Sequence, residues 1–190
     1  MSSRRKLSSI SAIVVLLAAL LGWLTHAPQR QGHISLPPAQ RNAPVTAGLA
    51  RITKIVDGDT VHALFSAENG AALREEKVRL YGINAPELHP RPGQSRSEFT
   101  VQPYAQEAND FLEKLCPLGS EVKIEEHGRD RYDRLLGVLI LPDGRDVNKL
   151  LIEAGLVRVY FLKTQKNDPL RNGYEQAQEN AQAAHKGLWK

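Results

Sequence analysis

Three strand patterns follow one another in this chain with no helical pattern between them. Residues 49–56 and 60–65 are apolar, strand-forming runs that flank Asp57-Gly58, a dipeptide typical of tight hairpin turns. Residues 77–81 alternate as a third strand. Because parallel strands need a long crossover connection, we expect these consecutive strands to be antiparallel. The order therefore constrains the first half of the fold to a sheet built from hairpins.

The second half mixes helical and strand patterns. Helices are predicted at residues 104–115, at residues 147–154 with Gly155 as the C-terminal cap, and from Asp168-Pro169 towards Lys186. Strands are predicted at residues 121–126, 135–141 and 157–162. Five or six short strands with three helices in this order fit an α+β, mainly β fold, in which a small, partly open barrel is capped by the helices.

The first 48 residues read differently from the rest. A basic start is followed by an apolar run over residues 10–24, which is typical of a secretory signal. If the run is counted from Leu7, residues 7–24 approach the length of a membrane anchor. The sequence leaves cleavage and anchoring both open for residues 1–27. Residues 28–48 contain four prolines and predict a linker, so the globular domain is expected at residues 49–190.

Charge and cysteine content exclude a broad basic surface for nucleic acid and an internal disulfide. The formal net charge of +4 includes Arg4, Arg5 and Lys6, and the rest of the chain carries only +1. A broad basic field for nucleic acid is therefore absent, and any phosphate binding must come from local clustering. A single cysteine, Cys116, rules out an internal disulfide. We expect a monomer held together by its core, and a bound metal is left open as a second source of stability.

Polar groups recur at the ends of the predicted strands. Asp57 and Asp59 bracket the first turn, the segment 84–87 (Asn-Ala-Pro-Glu) follows the third strand, and arginines occur at Arg79 and Arg134. Taken singly, each is an ordinary turn or a solvated strand residue. Taken together, oxygen donors suit a hard divalent cation, and guanidinium groups suit phosphate. The combination predicts a site that cleaves phosphodiester bonds.

Three ordered motifs carry a resemblance to a known family. They are D-G-D-T at residues 57–60, R-L-Y-G-I-N-A-P-E at residues 79–87 and D-R-Y-D-R-L-L-G at residues 130–137. In this order and spacing the chain resembles the staphylococcal nuclease (thermonuclease) family over roughly residues 49–189. The resemblance implies an OB-fold, a five-stranded barrel with three helices, and calcium-dependent cleavage of DNA and RNA.

The resemblance also implies a metal site. Calcium would be bound by the Asp59 carboxylate, the Asn84 carboxamide and the Ala85 carbonyl, and Asp57 and Thr60 would support these ligands from outside. The family's usual second metal aspartate is Asn84 here. A carboxamide oxygen can still coordinate but brings no charge, so another divalent ion is possible.

Catalytic roles carry over in the same way. Arg79 and Arg134 would bind the scissile phosphate, and Glu87 would act as general base or orient the attacking water. Tyr132 is a candidate for stacking on a base or contacting phosphate. The family's usual glycine before the second arginine is Asp133 here, and this acid could neutralise or orient Arg134.

Two other functions remain open at this stage. A degenerate barrel could bind nucleic acid or protein without cutting, which the neutral Asn84 favours. A calcium-stabilised scaffold is the third possibility. The set of Asp59, Glu87, Arg79 and Arg134 in one chain favours an exported or membrane-tethered endonuclease acting on single-stranded or loosened nucleic acid.

Overall fold

The computed structural model of the protein describes residues 47–66, 74–90 and 93–190. All of them belong to one compact unit, residues 41–190. The predicted signal or anchor at residues 1–27 lies outside the described residues, as does nearly all of the predicted linker. In the part of the chain that the structure describes, no helix is both long and apolar enough to cross a membrane.

The described residues form seven strands and three α-helices. In chain order these are β1 (Ala47–Asp57), β2 (Thr60–Phe65), β3 (Arg74–Leu80), β4 (Ile83–Asn84), α1 (Ala105–Leu115), β5 (Glu121–Arg129), β6 (Leu135–Ile140), α2 (Val147–Glu153), β7 (Arg158–Val159) and α3 (Arg171–Ala183). Short 3₁₀ turns lie at Lys163–Gln165 and Gly187–Trp189.

Five strands close into a barrel in the order β1-β2-β3-β6-β5. The pairs are antiparallel except β3–β6, which is parallel. Closure depends on the length of β1, because its first residues pair with β5 and its later residues pair with β2. The predicted OB-type barrel with three helices is confirmed, but the expectation of a partly open barrel was wrong.

Two predicted elements differ in extent. The strand predicted at residues 157–162 is only Arg158–Val159, which pairs with β4 outside the barrel. The third helix begins at Arg171 instead of Asp168-Pro169. Asp168 still acts as a capping residue, because its carboxylate accepts a hydrogen bond from the Leu170 N–H at 3.0 Å, but residues 169–170 form a turn that leads into the regular helix.

Alternate residues of each strand fill the barrel. Val61, Val78 and Leu80 are almost fully buried, and α1 and α2 cover the barrel with buried leucines such as Leu112 and Leu151. Arg79 lies between two inward residues and therefore projects from the opposite face of β3, as the alternation predicts. The core thus fixes which side of β3 carries the arginine.

A buried asparagine links the end of β3 to β6. The Asn148 Nδ2 group donates to the carbonyls of Tyr81 at 2.9 Å and Gly137 at 3.2 Å, and its Oδ1 atom accepts from the Leu139 N–H at 3.3 Å. Gly82 follows directly, with φ of +75°, and a Cβ there would lie 2.8 Å from the Phe161 ring. These contacts fix the path of the chain from β3 into β4.

Candidate active site

The β1–β2 turn packs closely against two other parts of the fold. A Cβ atom on Gly58 would lie 2.6 Å from the Cβ of Ala108 in α1 and 3.0 Å from the Cβ of Ala85. Without a side chain at this position, the turn can approach both. The Asp57 carboxylate accepts a hydrogen bond from the Asp59 N–H at 3.1 Å, which stabilises the turn. Asp59 is thereby held beside Ala85.

The Asp59 carboxylate is the centre of a polar cluster. It is buried, with 6 % of the residue exposed, and accepts hydrogen bonds from the Ala85 N–H at 2.6 Å and the Thr60 hydroxyl at 3.0 Å. It also forms an ion pair with Arg79. A buried carboxylate needs such partners, because an unpaired charge away from water is costly.

Arg79 joins the turn to the segment that follows β3. Its Nη2 group donates to the Asn84 Oδ1 atom at 2.9 Å, and its Nη1 group donates to the Asp59 carbonyl at 3.2 Å. The Asn84 Nδ2 group in turn points at the Ala85 carbonyl, 3.4 Å away. One guanidinium group therefore gathers oxygens from residues that lie 20 and 5 positions away in the sequence.

Burial dominates the protonation of Asp59. Loss of water around the carboxyl raises its pKa to about 7, although the positive charge of Arg79 lowers it, and the nearby Asp57 carboxylate adds to the rise. The carboxyl group therefore changes charge near neutral pH. A divalent cation bound to it would favour the ionised form.

The oxygens around Asp59 fit a hard divalent cation in chemical type. A carboxylate, a carboxamide oxygen and a backbone carbonyl are all calcium ligands, and the first two bind the same guanidinium group, so they converge. Within the described ranges, no group of three or more His, Cys, Asp or Glu side chains could hold a metal ion. A cation bound at Asp59, Asn84 and Ala85 would therefore have one carboxylate among these three ligands.

Glu87 lies three residues beyond Asn84 and is half-buried. Its N–H donates to the Gln102 Oε1 atom at 3.0 Å, and its carbonyl accepts from the Gln102 N–H at 3.2 Å. Pro86 restricts the backbone between Asn84 and Glu87. The loop after β4 is thus tied to the segment that precedes α1, and Glu87 has a fixed backbone position near the cluster.

Arg134 directly precedes β6 and is paired with a different acid. Its Nε and Nη2 groups both contact the Asp130 Oδ2 atom at 2.7 Å. In the β3–β6 register Leu135 lies opposite Val78 and Leu136 opposite Arg79, so Arg134 directly precedes the part of β6 that pairs with β3. No hydrogen bond or ion pair between described residues links Arg134 to the Asp59 cluster. The two arginines therefore come from neighbouring strands and are paired with different acids.

Asp133 does not act on Arg134 as a partner. Its carbonyl accepts a hydrogen bond from Arg129 at 2.8 Å, and its carboxylate lies 3.7 Å from the same side chain. Its φ of 61° is in the left-handed region, which glycine adopts with the least steric strain. Asp133 therefore occupies a glycine-like backbone position, and Asp130 orients Arg134.

Tyr132 is an exposed aromatic platform between two arginines. The residue is 64 % exposed, and the Arg131 Cζ atom lies 4.7 Å and the Arg134 Cζ atom 5.6 Å from the centroid of its ring. The Arg131 Nη2 group also donates to the Tyr132 hydroxyl at 2.7 Å. An aromatic face beside two cations is suited to a base and its phosphate.

Sequence reasoning missed the roles of three polar residues around this site. Asp130 holds Arg134, Gln102 holds the backbone of Glu87, and Asn148 holds the end of β3. Only Asp130 could have been found, since it lies four residues before Arg134 in a charged turn. The other two contacts join distant segments and leave no local pattern.

The fold and the cluster together define a class of protein. It is a small OB-type barrel with a buried carboxylate, a carboxamide and a guanidinium group converging at one point, and a second arginine directly before the neighbouring strand β6. The sequence model described as staphylococcal nuclease homologue matches residues 77–190. The chain belongs to this family.

Individual relatives agree with that assignment. A protein described as an uncharacterized endonuclease of Escherichia coli O157:H7 is 30 % identical over 139 residues, which cover 73 % of this chain and 75 % of that protein. A thermonuclease of Staphylococcus hyicus is 28 % identical over 141 residues, 73 % of this chain and 74 % of that protein. Endonuclease YhcR of Bacillus subtilis is 27 % identical over 166 residues, 85 % of this chain but only 13 % of the Bacillus protein.

Proposed function

We propose that this protein is a calcium-dependent endonuclease that hydrolyses phosphodiester bonds in DNA, RNA or both. The observation that carries the proposal is the convergence of Asp59, Asn84 and Arg79 beside the Ala85 carbonyl. Family membership and the relatives described as endonucleases and thermonuclease support it.

The roles of the side chains follow from their chemistry. Calcium bound by Asp59, Asn84 and Ala85 would supply Lewis-acid polarisation of a phosphoryl oxygen. Arg79 and Arg134 exchange part of their contacts with carboxylates for contacts with phosphate oxygens, which stabilises the charge that grows in the transition state. The Glu87 carboxylate accepts the proton of the attacking water. Asp57 and Thr60 hold Asp59 in place.

A second candidate is a barrel that binds nucleic acid without cutting it. Two observations favour this alternative. Asn84 supplies no charge, and both arginines are already paired with acids, Arg79 with Asp59 and Arg134 with Asp130. Binding without cleavage needs neither a proton acceptor at Glu87 nor a cation.

The deciding experiment is a cleavage assay of the purified chain on single-stranded DNA, with calcium and with a chelator. Arg134→Ala is expected to lower kcat by roughly 10²–10³-fold, the usual effect of removing one donor to developing charge. Its matched control is Arg145→Ala, because Arg145 forms the same kind of pair with Asp143, at 2.7 Å, in an exposed turn. Glu87→Gln is expected to lower kcat by roughly 10²–10⁴-fold, with Glu153→Gln as its control.

Four outcomes separate the candidates. Calcium-dependent cleavage that both site variants abolish supports the endonuclease. Equal cleavage in chelator excludes the metal role. Binding of the DNA with no cleavage under any condition supports the binding module, and a rise in Tm with calcium but no contact with DNA supports the scaffold.

We propose that the protein acts outside the cytoplasm, secreted, periplasmic or anchored through residues 7–24. The basic start and the apolar run at residues 10–24 support this location. Fractionation of cells expressing the full chain, with N-terminal sequencing of the product, tests it. A product in the cytoplasm that retains Met1 would contradict export.

The preferred substrate is proposed to be single-stranded or loosened nucleic acid, bound by a monomer. A barrel surface with an exposed aromatic side chain such as Tyr132 can follow a single strand. The near-neutral charge of the chain outside residues 1–27 provides little general electrostatic attraction for a duplex. Initial rates on matched single- and double-stranded DNA test the preference. Light scattering at assay concentrations tests the oligomeric state.

A further inference from the structure

A cleft lies directly beside the polar cluster and has no role in the mechanism above. Its volume is about 350 Å³, near the lower end of the range of roughly 300–1,000 Å³ for small-molecule sites. Residues 84–86 form one wall, residues 102–104 form another, and Arg158 and Leu188 complete the lining. One wall therefore contains the candidate metal ligands Asn84 and Ala85, and the other contains Gln102, which binds the backbone of Glu87.

The cleft is continuous with the candidate metal ligands. Asn84 and Ala85 belong both to the cleft wall and to the cluster around Arg79. In the β4–β7 pair, Arg158 is the register partner of Asn84. A nucleotide strand whose scissile phosphate is bound at Arg79, beside Asn84, can therefore continue into this cleft.

The cleft offers one available cation. The Arg158 Cζ atom lies 4.7 Å from the centroid of the Trp189 ring, and Arg158 forms no ion pair with any carboxylate of the described residues. Arg79 and Arg134, by contrast, are each paired with an acid. A guanidinium group that is oriented by an aromatic ring and not neutralised by an acid is well suited to phosphate.

The remaining lining suits a nucleoside. Tyr104 contributes an aromatic side chain and Leu188 an apolar one, and bases stack on such groups with little dependence on sequence. Tyr104 has a φ of 66°, which is unusual for a bulky residue. The Ala105 N–H donates to the Gln102 carbonyl at 3.1 Å and closes the turn around Tyr104. Backbone strain of this kind concentrates at functional sites.

We propose that this cleft binds the nucleotide next to the scissile phosphate, with its own phosphate on Arg158 and its base against Tyr104 and Leu188. The proposal rests on the proposed nuclease function, since it places a further part of the same substrate strand. It predicts that affinity depends on a nucleotide beyond the one that is cleaved.

The test is binding of a fluorescently labelled single-stranded DNA by the full chain in the presence of chelator, measured by fluorescence anisotropy. The salt concentration is varied from about 50 to about 200 mM, the range over which phosphate contacts change affinity strongly. Arg158→Gln is expected to weaken binding about 3- to 10-fold and to reduce the slope of log affinity against log salt by about one. Arg158→Lys keeps the charge and is expected to retain most of the affinity. Arg145→Gln is the control for the loss of an exposed arginine elsewhere.

Thermal melting of each variant separates binding from stability, because Arg158→Gln also removes the contact with Trp189. A weaker, less salt-dependent interaction at unchanged Tm supports the cleft. Equal affinity and equal salt slope in Arg158→Gln and the wild-type chain would overturn it, even if the wild type cleaves DNA normally. A wild type that binds DNA through Arg158 but never cleaves would overturn the proposed function and leave the cleft in place.

Discussion

Replacing Asn84 by aspartate adds one negative charge at the candidate metal site with almost no change in shape. The Asn84 Oδ1 atom already points at the cluster, 2.9 Å from the Arg79 Nη2 group. Two unit charges about 4 Å apart interact by roughly 1 kcal/mol in water and roughly 4 kcal/mol at an effective dielectric constant of 20. A divalent cation doubles this attraction to about 2–8 kcal/mol.

Arg79 opposes part of the gain. A carboxylate at position 84 also attracts the guanidinium group more strongly, by about half as much, because arginine carries a single charge. If the cation displaces Arg79 from residue 84, the net gain is about 1–4 kcal/mol. Because about 1.4 kcal/mol corresponds to a tenfold change, calcium should bind roughly 5- to 1,000-fold more tightly to Asn84→Asp.

Isothermal titration calorimetry of calcium into the wild type and the variant measures this difference. Asn172→Asp is the matched control, since it adds the same charge at an exposed residue in the first turn of α3. Asn84→Ala should bind calcium less well than the wild type, because it removes an oxygen ligand. Unchanged affinity in both Asn84 variants would show that residue 84 is not a calcium ligand.

Three further predictions concern single groups. Asn148→Ala should lower the free energy of unfolding by about 3–5 kcal/mol in urea denaturation, because three buried hydrogen bonds are lost together; a loss below 1 kcal/mol would contradict this. Asp133→Gly should raise the same free energy by about 0.5–1 kcal/mol, since φ at this position is 61°; a loss of stability would count against it. Calcium affinity should fall up to tenfold per pH unit below pH 7, because Asp59, with a pKa of about 7, must lose its proton to bind the cation; a flat calorimetric profile from pH 5 to 7 would refute it.

Local patterns in the sequence were sufficient to predict the strands that form the candidate site. The Asp57-Gly58 dipeptide marked the β1–β2 turn, and alternation in β3 placed Arg79 on the face opposite Val78 and Leu80. These features depend on neighbours within a few residues. For the same reason the extent of β2 was predicted to the residue.

Pairing between distant segments could not be derived in this way. The parallel contact of β3 with β6 and the closing contact of β1 with β5 join segments more than 50 residues apart. By contrast, the pairing of Arg79 with Asp59 follows from the β2–β3 register, in which Thr60 lies opposite Arg79. The Asp168 carboxylate also binds Tyr81, 87 residues away, and this contact could not be derived from the local pattern that predicted Asp168 as a helix cap.

Both arginines of the candidate site have acidic partners before any ligand arrives. Arg79 is paired with Asp59, and Arg134 with Asp130. A cation bound to Asp59 weakens the ion pair between Asp59 and Arg79. A phosphate bound to Arg79 weakens the same ion pair, so the Asp59 carboxylate can bind the cation more readily. Calcium and a nucleotide phosphate should therefore bind cooperatively, and by linkage each should raise the affinity of the other by the same factor.

That coupling can be measured directly. Calorimetric titration of calcium should show weak binding to the protein alone and binding about 5- to 150-fold tighter with a saturating nucleoside bisphosphate, the usual range for coupled sites. The reverse titration, nucleotide into calcium-loaded protein, must give the same factor. Tight calcium binding without nucleotide would mean that the Asp59–Arg79 pair presents no barrier to the cation, and that the neutral carboxamide of Asn84 costs the site little.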